Sequence, residues 1–531
     1  MKRLFYGMLI PLAFLFAGCP NQQPPDFQIS VSPLAIQVHQ GESVNATLRV
    51  IPKYGFKGTL SLSYQQSGGG SLPSGLSIAP DSVTVSGGAV DATLTITAGA
   101  TVELGQYDLE VTGTQGKLSH KASFSVTVVP PAGTLDEGFG TGGVVVLDTG
   151  HDDLGYSLAF GDGGAIYVLG RDNKYLWVRK FEDNGRPVSA FAGSGLLLLH
   201  PVRPLGTAER DNDLDHALIP LLGGSFLAGG YAYDVSNDQD DLLIAKFDAG
   251  GNLDTDFGSD GIQTYDNLLY SGSGHANERA YSLALGSDGK VWVAGFAYKD
   301  TTDIEQALAM KVNLTLPDSP ELTDLGGSGS EYAYTVTPLS DGAFFAGTTN
   351  EGGLQGGWLH VDQDLNDLGH DKLPAFSGGR VTASARDAEG RILLAGYTDN
   401  GNDYDVVVVR MHPDGTLDTS FDADGIVQLD DLGGSGGSDR AFSLAIDGEG
   451  RILVAGRTFV SGHGDDLLVL RLRPDGSLDT SFGDGGVFLW NGNGHTDGAF
   501  EVALDGRGRI VVTGFSDNGN DNDLVLLRLN P

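Results

Sequence analysis

From Phe27 onward, apolar and polar residues alternate over short runs, and this period of two predicts strands. Phe27, Ile29 and Val31 alternate with polar neighbours, as do Leu48 and Val50, Leu60 and Leu62, Leu94 and Ile96. Tyr107, Leu109 and Val111 follow, then Phe124, Val126 and Val128. Side chains on an extended strand point alternately to opposite faces, so each run predicts a strand with one buried side. Turn signals such as Ser67-Gly68-Gly69-Gly70 and Ser86-Gly87-Gly88 separate the runs. About seven or eight such strands between residues 27 and 129 predict a β-sandwich.

After Pro130-Pro131-Ala132-Gly133 alternation gives way to repetition. Pro413-Asp414-Gly415-Thr416-Leu417-Asp418-Thr419-Ser420-Phe421 recurs as Pro474-Asp475-Gly476-Ser477-Leu478-Asp479-Thr480-Ser481-Phe482. Leu135-Asp136 with Phe139, and Leu253-Asp254 with Phe257, are earlier relatives. A second anchor is an apolar strand ending in glycine, Ile452-Leu453-Val454-Ala455-Gly456, with counterparts ending at Gly170, Gly229, Gly295, Gly347, Gly396 and Gly514. A third is an acidic entry into an apolar strand, as in Asp465-Asp466-Leu467-Leu468-Val469-Leu470-Arg471, Asp241-Leu242-Leu243-Ile244 and Asp523-Leu524-Val525-Leu526. The spacing gives seven units of about 57 residues, each with about four short strands, and such a period predicts a propeller or an array.

The strand order follows from the ends of the array. In the sixth unit the strands are Ala441 to Ala445, Ile452 to Gly456, Leu467 to Leu472 and Gly486 to Trp490. The last unit stops at Pro531 without a fourth strand, while Gly143 to Leu147 is a fourth strand with no unit of its own. Pairing the two leaves no open sheet edge, and this predicts Leu147 and Leu524 in one sheet rather than a pairing of residues 143–147 with the Tyr156 strand.

These motifs resemble the delta-60 repeat family of bacterial β-propellers, with the LDxSFG element worn away in units four and five. Residues 27–129 resemble the immunoglobulin-like modules of exported bacterial proteins. The start of the chain is similar to a bacterial lipoprotein signal. Lys2 and Arg3 precede an apolar run from Leu4 to Phe16, and Ala17 and Gly18 lead into Cys19, the only cysteine. An apolar run of about 13 residues is too short for a helix to span a bilayer. Phe16 stands where such signals usually carry leucine. The expectation is therefore an all-β chain: a signal with a lipidated Cys19 (1–19), a linker (20–26), an immunoglobulin-like β-sandwich (27–129), a linker (130–133), and a seven-bladed β-propeller (134–531) closed by pairing of the first and last repeat strands. Acyl chains add roughly 0.8 kcal/mol per buried CH₂, so several on Cys19 would hold the protein on the envelope membrane.

Composition narrows the chemistry. Without Cys19 there is no thiol for a disulfide, a nucleophile or a zinc–thiolate site. A formal net charge of −37 disfavours nucleic acid, which needs lysine and arginine contacts. G-x-S-x-G, H-E-x-x-H and Walker motifs are absent, and no general base or nucleophile is nominated.

By the usual propeller arrangement one face carries short, monotonous turns and the other carries loops of varied length. Variable loops on a rigid scaffold place recognition at Tyr231 to Asp240, Tyr298 to Gln306, Asp266 to Arg279 and Asp430 to Arg440. A carboxylate 17 residues before the strand-ending glycine recurs as Asp153, Glu278, Asp439 and Asp497, with Asp213 and Glu331 one residue out of step and Gly379 in the fifth unit. These acids would ring the channel mouth, either as a cation site or as acceptors of backbone N–H groups within each blade. Asp399, Asp403 and Asp405, and Asp517, Asp521 and Asp523, each surround a glycine in a pattern that would suit Ca²⁺ or an ordinary Asn/Asp/Gly turn. The Gly-His pairs Gly150-His151, Gly274-His275 and Gly494-His495 resemble the structural pair of WD40 repeats. No cofactor beyond Ca²⁺ is implied. The function expected is non-enzymatic binding of a protein or glycan, the alternatives being an envelope-assembly scaffold and a hydrolase or lyase with its site in the channel.

Overall fold

The computed structural model describes residues 23–172, 175–201, 217–234, 239–258, 260–269, 277–298, 305–314, 321–324, 330–350 and 353–531. The leader with Cys19 lies outside them. Among the described residues no helix is long and apolar enough to cross a membrane. The chain divides after Pro131 into two compact units.

The first unit packs a four-stranded sheet against a five-stranded one. Asp26–Ser32, Ser43–Lys53, Val90–Ala98 and Leu76–Ala79 form the first, in that order. Ala35–His39, Leu118–Val129, Gly105–Gln115, Gly58–Gln66 and Ser82–Val85 form the second. The alternating residues do what the pattern predicts: Phe27, Leu48, Val50, Leu60, Leu94, Ile96, Leu109, Val111 and Val126 fill one core. Ala35–His39 pairs in parallel with Leu118–Val129.

Among the described residues the second unit shows seven four-stranded antiparallel sheets. Their first strands are Leu154–Phe160, Ala217–Pro220, Glu278–Leu285, Glu331–Pro338, Arg380–Arg386, Asp439–Ile446 and Asp497–Leu504. Each first strand lies against the next, and the seventh lies against the first. The seventh sheet takes its fourth strand, Val144–Leu147, from the start of the unit, with Leu147 opposite Leu524.

Two recurrent contacts explain the repeat motifs. The first involves the recurrent glycine of the second strand, which does not end the strand as expected: Ile452–Val460 runs four residues past Gly456. A β-bulge interrupts the first strand opposite it, for example between Ala441 and Ser443. That bulge lays the Arg440 carbonyl over Gly456, where a Cβ would stand 1.9 Å from the oxygen. Gly396 and Gly514 face Arg380 and Gly498 at the same 1.9 Å. Any larger residue would push the two strands apart.

The second contact is a lock built on a basic residue one place before the end of the third strand, or two in the fourth sheet: Lys180, Lys246, Lys311, His360, Arg410, Arg471 and Arg528. Where LDxSF is intact, this cation pairs with its aspartate and lies over its phenylalanine. Arg471 Nε donates to Asp479 at 2.8 Å, and the guanidinium sits 4.7 Å from the Phe482 ring centre. Arg410 repeats this with Asp418 (2.9 Å) and Phe421 (4.6 Å). Lys246 pairs with Asp254 at 2.8 Å. The cation also crosses to the turn of the next sheet. Arg410 donates to Pro474 O, Lys180 to Ala249 O and Lys311 to Gln363 O. Arg528 donates to Asp183 O of the first sheet, and its aspartate and phenylalanine, Asp136 and Phe139, come from the start of the unit.

Burial alone would raise the Asp479 carboxyl, but hydrogen bonds from Ser481 and the Arg471 charge hold it below its ordinary value. Its contribution to stability is therefore present above the unfolded value of about 3.9 and is lost as pH falls through the lower folded one. Arg471 is 1 % exposed, and stripping one partner from such a buried pair costs about 3–5 kcal/mol. Arg471→Ala is expected to destabilise by that amount in urea unfolding, while Arg473→Ala, with its side chain 46 % exposed, should stay within about 0.5 kcal/mol. Equal effects of the two substitutions would refute the lock.

Candidate functional site

The seven first strands surround a narrow channel with a cavity of about 200 Å³. The residue following each bulge faces this space, and in most sheets it carries a hydroxyl: Ser157, Ser282, Thr335 and Ser443. In the seventh sheet it is Glu501. These side chains brace neighbouring strands. Ser157 Oγ accepts the Leu218 N–H at 2.9 Å, and Ser443 Oγ accepts that of Val502 at 3.2 Å. Glu501 Oε2 accepts the Leu158 N–H at 2.5 Å, so it does from the seventh sheet to the first what serine does elsewhere.

At the loop-bearing end of the channel the bulged residues form a collar of aromatic rings. Tyr156 and Phe500 lie 5.0 Å apart, as do Tyr281 and Tyr334, and Phe442 lies 6.1 Å from Phe500. Arginines cover the collar from outside. Arg380 stands over Tyr334 at 5.7 Å, Arg440 over Tyr404 at 4.6 Å, and Arg457 over Phe442 at 5.6 Å. Cation–π attraction of this kind contributes about 0.5–2 kcal/mol per pair as desolvation grows. The collar narrows the opening, and Arg457 in turn pairs with Asp465 at 3.3 Å.

The recurrent carboxylates begin the first strands but do not line the channel cavity. Asp153, Asp439 and Asp497 are buried, and each caps the turn before its own strand. Asp153 Oδ2 accepts the Thr149 N–H at 3.0 Å, Asp439 Oδ2 that of Leu432 at 3.2 Å, and Asp497 Oδ2 that of Gly492 at 2.9 Å. Burial pushes Asp439 and Asp497 each up to about 6. Glu331 accepts a hydrogen bond from Thr349. Gly379 leaves room for the Tyr397 carbonyl, 1.9 Å from where a Cβ would sit. Asp213 lies outside the described residues.

Glu278 is different. Fully buried, it has Asp241 and Asp266 within 4.8 Å of its carboxylate, and burial followed by those two charges pushes it up to about 9. The spacing of the acids was legible in the sequence. Asp241 and Asp266 were not, because they come from the neighbouring sheet.

The two aspartate-rich loops fold as turns. Asp399 accepts the Gly401 N–H and Asp517 that of Gly519, while Asn400 bonds Asp403 and Asp405, and Asn518 bonds Asp521 and Asp523. Asp403 and Asp405 gather with Asp430, and Asp521 and Asp523 with Asp148, rather than with Asp399 or Asp517. Tyr231 is 1 % exposed, hydrogen-bonded by Arg171 and covered by Arg279 at 4.4 Å, so it belongs to the packing under the loop. Tyr298 is half-buried and donates to Glu305 at 3.3 Å. His151 and His495 are exposed. His275 and residues 235–238, 270–276 and 299–304 of the variable loops lie outside the described residues.

Burial pushes the Glu501 carboxyl up to about 7. The folded carboxyl then keeps its proton to higher pH than the unfolded one, near 4.3. Its contribution is full in acid and is lost as pH rises through about 7. Glu501→Gln, neutral throughout, is expected to remove this slope and to raise Tm at pH 8 by ~2–4 °C relative to wild type, with little change at pH 4. Melting curves with the same pH slope in both proteins would refute the assignment.

Residues 224–257, 388–421 and 450–482 match the family described as a domain of unknown function (DUF5122) beta-propeller. Residues 27–129 match the family described as "Putative Ig domain". No curated protein matches the chain. Among solved structures it is similar to a quinonprotein alcohol dehydrogenase-like protein of Bacteroides thetaiotaomicron, at 9 % identity over 93 % of this chain and 96 % of that one, with a TM-score of 0.29. It is also similar to the beta-propeller domain of the Trilobed protease of Pyrococcus furiosus, at 12 % identity over 59 % and 81 %, TM-score 0.32. A third likeness is to an endo-arabinase of Bacteroides thetaiotaomicron, at 12 % identity over 47 % and 93 %, TM-score 0.28. The chain carries β-propeller repeats of the DUF5122 kind behind an immunoglobulin-like module.

Proposed function

We propose that this chain is a lipid-anchored protein of the bacterial envelope that binds a protein or glycan through the loop-bearing face of a closed seven-bladed propeller, without catalysing a reaction. The observation that carries the choice of face is the lock. On the opposite face the third-to-fourth-strand turns are engaged: Ala249, Gln363, Pro474 and Asp183 each give a carbonyl to the neighbouring sheet's cation. Those turns are bound to the architecture. The loops at the other end vary in length and content, and they surround the arginine-covered collar and the exposed ring of Phe459. Ring closure is supported by the seventh sheet, whose Arg528 reaches the first sheet by the same contact that joins the others.

A channel enzyme ranks behind binding for a specific reason. The one acidic group among the lining residues is Glu501, and that carboxylate is committed to the Leu158 amide. A polar ring that braces strands offers no pair of unlike groups converging on a substrate.

Two measurements test the proposal. Cys19→Ala is expected to shift the protein from the membrane fraction to the soluble one, and retention in the membrane would overturn the lipid anchor. Protease shaving of intact cells is expected to release peptides from 231–240 or 430–440. Protection that persists until the envelope is permeabilised would put the assembly scaffold in place of external ligand capture.

A further inference from the structure

We propose that Asp241, Asp266 and Glu278 form a Ca²⁺ site that joins the second sheet to the third on the loop-bearing face. The site stands apart from the binding role above and does not depend on it. Asp241 lies near the start of strand Gln239–Phe247, Asp266 directly follows Ile262–Tyr265 of the same sheet, and Glu278 opens Glu278–Leu285 of the next. The two aspartates and the glutamate each offer an oxygen, all within 4.8 Å of one another.

A cluster of acids is common on an acidic surface, and what marks this one is Glu278. Its side chain is completely buried. The amides of Asn267 and Leu268 approach it, yet neither carboxylate oxygen is closed into a hydrogen bond. The equivalent residues in the other sheets show what this position ordinarily does. Asp153, Asp439 and Asp497 each place one oxygen on a turn N–H. Glutamate is one methylene longer, and here it overshoots the turn and enters the space beside Asp241 and Asp266. Leaving a buried carboxylate without a partner is costly, so such groups are paired or hold a metal. Arg279, the next residue, sends Nε and Nη2 to Asp240 at 3.0 and 2.5 Å.

The donor set selects the ion. Three carboxylates with no imidazole or thiolate suit a hard cation. Ca²⁺ takes oxygens at about 2.3–2.6 Å in flexible geometry and completes its shell with water and carbonyls, whereas Mg²⁺ demands a near-ideal octahedron at about 2.0–2.1 Å. With one aspartate exposed, the site keeps a side open for water.

Calorimetric titration of the purified full chain, stripped with chelator, is the test, with CaCl₂ and MgCl₂ as probes and thermal unfolding as a second readout. Ca²⁺ is expected to bind and to raise Tm, with MgCl₂ giving a smaller shift. Glu278→Asp, which restores the residue found in other sheets, and Asp266→Asn, at an exposed position, should each weaken the Ca²⁺ isotherm at least about tenfold, since affinity follows the charge and number of ligands. Both variants should melt cooperatively without metal. Absence of Ca²⁺ heat, or an isotherm and Tm shift unchanged in both variants, would overturn the site; the latter would move the ion to another cluster such as Asp403, Asp405 and Asp430.

Discussion

The architecture of the second unit depends on one basic residue per sheet, buried in five of the seven and half-buried at Lys180 and Lys246. A strand that is apolar on both faces is well suited to a layered core but carries no information about its neighbour. Placing a lysine, histidine or arginine near its end supplies that information. A cation in a dry interior is costly without partners, and the arginines and lysines here draw theirs from anions, ring faces and carbonyls. In the best copies it finds the first two in its own sheet and the third in the next. Packing between sheets could tolerate sliding; a directed donor on a single carbonyl cannot. Dispersion fills the space between sheets, and the cation fixes their register.

Where the motif has eroded, the cation has found substitutes. Lys311 pairs with Asp288 of the first-to-second-strand turn at 2.9 Å and lies over Trp292, but it still reaches the Gln363 carbonyl of the next sheet. Lys180 lies over Tyr167 and reaches Ala249. The intersheet contact has outlasted the LDxSF sequence that accompanies it elsewhere. Arg471 shows the reverse case, keeping Asp479 and Phe482 while its Nη1 finds no carbonyl, so the carbonyl contact and the aspartate–phenylalanine pair are separable parts of the lock.

Much of this was legible in the chain. The period of two located the first unit's core, and the recurrence of LDxSF and of the second-strand glycine located the sheets and the strands within them. What was not legible came from residues whose identity varies while their duty is constant. The lock cation changes among three residue types, so no motif search isolates it. Glu501 replaces serine in a role that only the Leu158 contact reveals. The recurrent acids were found by spacing, but a cap and an acidic cluster differ by one methylene and by partners from another sheet. Tyr231 sits next to a variable loop in sequence and under an arginine in space.

The strand Val144–Leu147 and the residues Asp136 and Phe139 precede the first sheet in the chain, and their partners on Asn522–Leu529 follow the other six sheets. Synthesis from the N-terminus therefore leaves the earliest part of the second unit waiting for almost the whole of the rest. Joining ends so far apart carries a closure entropy on the order of 5 kcal/mol, which the strand pairing and the Arg528 contacts must offset together. Loss of the pairing at this seam would release both the strand Val144–Leu147 and the Asp136 and Phe139 contacts of Arg528 together. The seam at the seventh sheet is therefore the point in the second unit whose formation waits on the longest stretch of intervening chain.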